Sequence, residues 1–163
     1  MAISTALERL SYGSSDGCIA AGLHRQVIQS VGATRTLLAE ESGSLCLYDR
    51  AAGVVYTLPA PVEGAYFDFM ATVSVTSNAY KTITNAATVF LVGGIGMLSL
   101  TVAEAGDFFV ADGTTIVALS EAGATTGGLV GGTYRVTAIS ATQWAITGIT
   151  VGAGTLATPF ATS

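Results

Sequence analysis

Tyr134-Arg135-Val136-Thr137-Ala138-Ile139-Ser140-Ala141-Thr142-Gln143-Trp144-Ala145-Ile146-Thr147 is the stretch on which the architecture turns. Two runs rich in aromatic and β-branched residues, 134–139 and 144–147, flank the polar link Ser140–Gln143. Such side chains suit a pleated surface, so the stretch spells a β-hairpin. Around it, the 51 residues from Gly113 to Ser163 carry two charges, Glu121 and Arg135. An ordinary soluble domain has about a quarter of its residues charged. This chain has 10% charged and 50% hydrophobic residues, with a mean hydropathy of +0.60. Threonine, serine and glycine break up the charge-poor stretch, which is therefore not lipid-like. It reads as β-structure whose outer surface is covered by another copy of itself or by a large assembly.

The same pattern extends back to Thr34. Ser44–Tyr48 and Val54–Leu58 flank Asp49–Gly53 as a hairpin, and Pro59 and Pro61 end the second strand because proline cannot donate to a ladder. Ala65–Val75, Tyr80–Thr84, Val89–Val92 and Met97–Val102 follow as strands, with Gly93-Gly94-Ile95-Gly96 as a break between the last two. Phe108–Ala111 and Thr115–Leu119 flank Asp112-Gly113, a dipeptide that favours a tight hairpin turn. Gly123–Gly132 reads as a loop. Closely spaced strands with turns between them predict an all-β fold, an antiparallel sandwich or barrel-like domain. That domain is expected over residues 34–163.

Residues 1–33 are expected to form an N-terminal arm and linker, extended or short-helical. Ile3, Leu7 and Leu10 share one face of a helix over Ala2–Leu10, and Ser11–Gly17 is turn-rich. The segment is either an arm that docks on a partner or a frayed terminus. On the first reading, Ile3, Leu7, Arg9, Leu10 and Tyr12 are the arm's contacts.

The 163 residues suit one domain or one domain with an arm. A net charge of −5 and six scattered basic residues, with Lys81 the sole lysine, argue against a nucleic-acid partner. Thr82–Ala103 lacks charge over a length that would span a bilayer, but Asn85, Ser99 and its glycines argue against a membrane helix. No secretory leader is expected. Cys18 and Cys46 are better read as buried thiols than as a disulfide.

Chemistry finds little support. His24, the only histidine, has Cys18, Asp16, Glu40 and Glu41 as conceivable triad partners, with nothing in the spacing that requires that geometry. The carboxylate pairs Glu40/Glu41 and Asp107/Asp112 are weak glycosidase candidates, because adjacent strand residues face apart and Asp112 is explained by its turn. The glycine clusters match no phosphate-binding motif. Glu63 and Asp68 beside Tyr66, Phe67 and Phe69 lack a calcium-loop pattern. No catalytic, cofactor or metal residue is assigned, and the chain is not expected to be an enzyme. Trp144, Tyr134 and Tyr80 would be the stacking residues of a carbohydrate-binding β-sandwich, were they exposed; core packing accounts for them better.

The run Arg35-Thr36-Leu37-Leu38-Ala39-Glu40-Glu41-Ser42-Gly43-Ser44-Leu45-Cys46-Leu47-Tyr48-Asp49-Arg50-Ala51-Ala52-Gly53 continues into Thr57-Leu58-Pro59-Ala60-Pro61. With Ser74-Val75-Thr76-Ser77-Asn78 and Gly154-Thr155-Leu156-Ala157-Thr158-Pro159-Phe160, it resembles small head decoration (cement) proteins of tailed bacteriophages over residues 34–163. The likeness is one of phrase, without a diagnostic motif. It implies a β-rich virion protein, often a homotrimer, on the outside of an icosahedral capsid, made in the host cytoplasm and bridging major capsid protein subunits. Another phage structural part (tail tube, fibre or head–tail joining protein) and the carbohydrate-binding sandwich are the rival expectations. The charge-poor strands after Gly113 are expected to supply the self-association surface.

Overall fold

The computed structural model describes residues 25–101 and 105–163. The arm residues Ile3, Leu7, Arg9, Leu10 and Tyr12, together with Asp16, Cys18 and His24, lie outside the described residues. The strands are β1 (Val27–Ile28), β2 (Thr34–Thr36), β3 (Leu45–Tyr48), β4 (Val54–Thr57), β5 (Tyr66–Ala71), β6 (Tyr80–Ile83), β7 (Phe90–Ser99), β8 (Asp107–Asp112), β9 (Ala118–Glu121), β10 (Thr133–Ser140), β11 (Gln143–Gly152) and β12 (Phe160–Ala161). They form a seven-stranded sheet in the order β1-β3-β5-β10-β11-β7-β8 and a five-stranded sheet in the order β12-β9-β6-β4-β2. The expected all-β sandwich is therefore present. The sheet already includes Val27–Ile28, inside the stretch assigned to arm and linker, and Ile28 is buried.

Pairing within the sheets is mixed. The first six strands alternate between the two sheets, and each stacks parallel on the strand two before it: β1 on β3, β3 on β5, β2 on β4 and β4 on β6. This is a two-sheet coil. The later strands close it. β10 pairs antiparallel with β5 and β11, β7 lies parallel to β11 and antiparallel to β8, and β9 joins β6 antiparallel.

The hairpin at Ser140–Gln143 forms as expected, with Ser140 opposite Gln143 and a bulge between Ala138 and Ser140. The other two expected hairpins do not form. β3 and β4 lie in different sheets, so Asp49–Gly53 crosses the sandwich instead of returning along one sheet. At Asp112-Gly113 the Asp112 carboxylate accepts the N–H groups of Thr114 and Thr115 at 2.8 Å and the Thr115 hydroxyl at 2.5 Å. That wider turn carries the chain from β8 to β9 in the other sheet. The glycines at 93–96 are no break either, since β7 runs through them. A Cβ on Gly93 (φ 120) would sit 2.4 Å from the Ile146 carbonyl oxygen of β11, so the bare backbone is what lets these strands lie together.

Period-two alternation turns one side of every strand inward. Tyr48, Phe69 and Tyr134 from the larger sheet meet Tyr56 and Tyr80 from the smaller one, and the Tyr48 and Tyr80 rings stack at 4.5 Å. Buried hydroxyls need partners. Those of Tyr48, Thr82 and Tyr134 close a three-membered ring at 2.7, 2.8 and 3.0 Å, so the polar tips bridge the sheets without an orphan.

Candidate assembly surface

The strand register that buries the aromatic core leaves a second face outside the seven-stranded sheet. On β8, Phe109 and Ala111 turn inward, while Phe108 (68% exposed) and Val110 (66% exposed) turn out. Across β7 they lie opposite Gly96 and Gly94, and beyond them on β11 come Ile149 and Thr147. Gly94 has a definite role, because a Cβ there would lie 2.4 Å from the Phe108 ring carbon Cζ. The missing side chain leaves room for the phenyl ring over Gly94 of β7. Leu98 on β7 and Met70 on β5 add exposed apolar area to the same outward side.

Apart from Asp112 at the end of β8, charge on this face is gathered in one cluster. Arg135 of β10 grips Asp68 of β5 through two hydrogen bonds, at 2.7 and 2.8 Å, and Arg25 reaches the same carboxylate at 2.8 Å. The Arg135 guanidinium also lies 4.5 Å above the centre of the Tyr66 ring. The Arg135 hydrogen bonds hold the Asp68 carboxyl below the usual carboxylate range. Both Asp68 oxygens are thus engaged by arginines, whose positive charge opposes a calcium ion there.

β8 is also a sheet edge. Exposed apolar edges pair with other chains unless something blunts them. Asp107 and Asp112 bracket β8 with negative charge at both ends, which leaves its exposed middle apolar.

The other sequence candidates are placed as follows. Trp144, Tyr134 and Tyr80, which a carbohydrate-binding surface would have to present, are all inside the core. Trp144 Nε1 has no hydrogen-bond partner among the described residues. Glu40 and Glu41 lie in a short 3-10 turn, Ala39–Glu41, not in a strand, and Glu41 is paired to Arg35 at 2.5 Å. Asp107 and Asp112 sit at opposite ends of β8, with Asp112 spent on its turn. Cys46 is a buried free thiol whose ionisation burial pushes up to about 12, which disfavours the thiolate form that a nucleophile needs. Among the described residues no group of three or more His, Cys, Asp or Glu side chains converges as a metal site, and no helix is long and apolar enough to cross a membrane.

Of the strands after Gly113, β10 and β11 do contribute outward residues, whereas β9 is mostly buried in the smaller sheet. The most exposed apolar residues of the strands, Phe108 and Val110, precede Gly113. The run Phe108-Phe109-Val110-Ala111 carried the signal, because it is apolar on both faces of a strand. No family model, curated protein or solved structure matches this chain.

Proposed function

We propose that the chain is a virion structural protein, a capsid decoration or cement protein that binds the outside of an icosahedral phage head and bridges major capsid protein subunits. It would act as a homotrimer, with residues 1–12 reaching a neighbouring subunit. The observation that supports this most is the outward face around Phe108 and Val110. Monomers seldom leave contiguous apolar patches on display, and larger ones mark interaction sites. Each large apolar side chain covered at such a face contributes about 1.5–3 kcal/mol. Many modest contacts, repeated over a shell, then add through multivalency.

The test is the mass of the full chain by light scattering, followed by co-sedimentation with capsids lacking the protein. A trimer that pellets with capsids, and loses pelleting but not its trimer when residues 1–12 are removed, supports the reading. A stable monomer that ignores capsids overturns it, and a hexameric ring moves the assignment to a tail or joining part.

A further inference from the structure

Glu121 is the last residue of β9 and stands on the same inward side as Leu119, opposite Tyr80 of β6. It is 2% exposed. Its carboxyl meets the Thr150 hydroxyl of β11 and the backbone N–H of Gly128. The Gly128 N–H also reaches the Thr150 oxygen at 3.3 Å. The other titratable groups that face it are the phenols of Tyr48 on β3, Tyr80 on β6 and Tyr134 on β10. Burial holds all three above their usual range, so they are uncharged. No ion pair to Glu121 forms among the described residues. A carboxylate here is thus a buried charge with two neutral donors and no cation, an arrangement that favours the protonated acid.

The roof over this carboxyl is a glycine loop of unusually light construction. Residues 122–128 fold back on themselves: the Gly123 N–H donates to the Gly127 carbonyl at 2.8 Å and the Ala122 N–H to the Thr126 hydroxyl at 2.9 Å. Single backbone bonds tie the loop to its surroundings, from Val75 N–H to the Gly128 carbonyl at 3.0 Å, and from Ala153 and Ala157 N–H to the carbonyls of Ala124 and Thr125 at 2.8 Å each. A Cβ on Gly127 (φ 86) would lie 3.0 Å from Glu121 Oε1 and 2.5 Å from the Thr150 oxygen, so the loop backbone rests directly on the carboxyl. Between its glycines the loop holds only alanine and threonine. Segments with so little apolar burial open locally at low cost.

We propose that Glu121 and residues 122–128 form a proton-operated clasp: the neutral carboxyl keeps the loop seated against β11 and residues 153–157, and ionisation releases it. The clasp is independent of what the outer face binds. Burial raises the carboxyl from 4.5 to about 7. Its folded value lies above the unfolded one, so its contribution is complete below 4.5 and is lost as pH rises through about 7.

Amide hydrogen exchange on the full chain at about pH 5.5 and 8.5, corrected for intrinsic rates, tests this. Protection of 122–128 and 153–157 should fall on the order of thirtyfold between these pH values in the wild type, and stay level in Glu121→Gln. Equal wild-type protection at both pH values, or the same fall in Glu121→Gln, overturns the clasp. Should that variant not fold, carboxyl-labelled wild type decides: one glutamate titrating near neutrality supports the clasp, and all of them titrating below about pH 5 overturns it.

Discussion

The two sheets turn very different outsides to their surroundings. The smaller presents Thr34 and Thr36 of β2, Thr57 of β4 and Ser120 of β9, with the sole lysine, Lys81, on β6; its outward Val55 and Ile83 are partly covered. The larger presents Phe108, Val110, Leu98, Ile149 and Met70 around a single arginine–aspartate cluster. Both inner faces carry buried aromatic rings, so burial of the core does not explain the contrast. One outside is polar and the other largely apolar. Low charge over the whole chain therefore resolves into one uncovered face, not a uniformly apolar surface.

The largest effect should come from the shared interior. Phe69→Ala removes a ring stacked against Tyr134 at 5.1 Å and should cost about 3–5 kcal/mol in denaturant unfolding. A loss below about 1 kcal/mol would mean that the sheets do not share one core. Next comes Phe108→Lys, which should dissociate the proposed oligomer in light scattering while shifting the monomer's stability by less than about 1 kcal/mol, because the side chain is already in water. An intact oligomer would remove the larger sheet's outside from the interface. Asp68→Asn should cost about 1 kcal/mol near neutral pH, discounted for the partial exposure of both arginines. Because the folded carboxyl is depressed, the wild-type advantage is present above 3.8 and is lost as pH falls below it, so melting curves of the two proteins should converge in acid. Smallest is Lys81→Thr, which should change stability by at most about 0.5 kcal/mol and leave the oligomer intact. If it dissociates the oligomer instead, the contrast between the two outsides fails.

Strand positions were legible because period-two alternation is a local property. Tyr134, Val136 and Ala138 turn inward as the hairpin pattern requires, and Tyr48, Tyr56 and Phe69 do the same. Neighbours were not legible, because alternation specifies a face and not a partner. β3 and β4 look like two arms of a hairpin, yet each buries the same residues when it pairs in a different sheet. The glycines at 93–96 misled for a related reason, since local preference marks glycine as an interruption while the need is tertiary: Ile146 and the Phe108 ring occupy the space. On the candidate surface, the charge-poor composition pointed to the strands after Gly113, whereas the most exposed apolar strand residues, Phe108 and Val110, stand just before it. Glu121 did leave a trace in the sequence, standing two residues after Leu119 in a strand whose inward side is apolar.

The alternating coil of β1 to β6 bears on the order in which the molecule is made. None of these strands pairs with the next one in sequence, and the innermost rung, β5, borders β10. Each rung must therefore close a loop before any ladder bond repays the lost chain entropy, and such non-local pairing is slow. β7 with β8 and β10 with β11 need no such detour. During synthesis the amino-terminal half leaves the ribosome first, and its strand β5 gains its second neighbour in the larger sheet only when β10 follows.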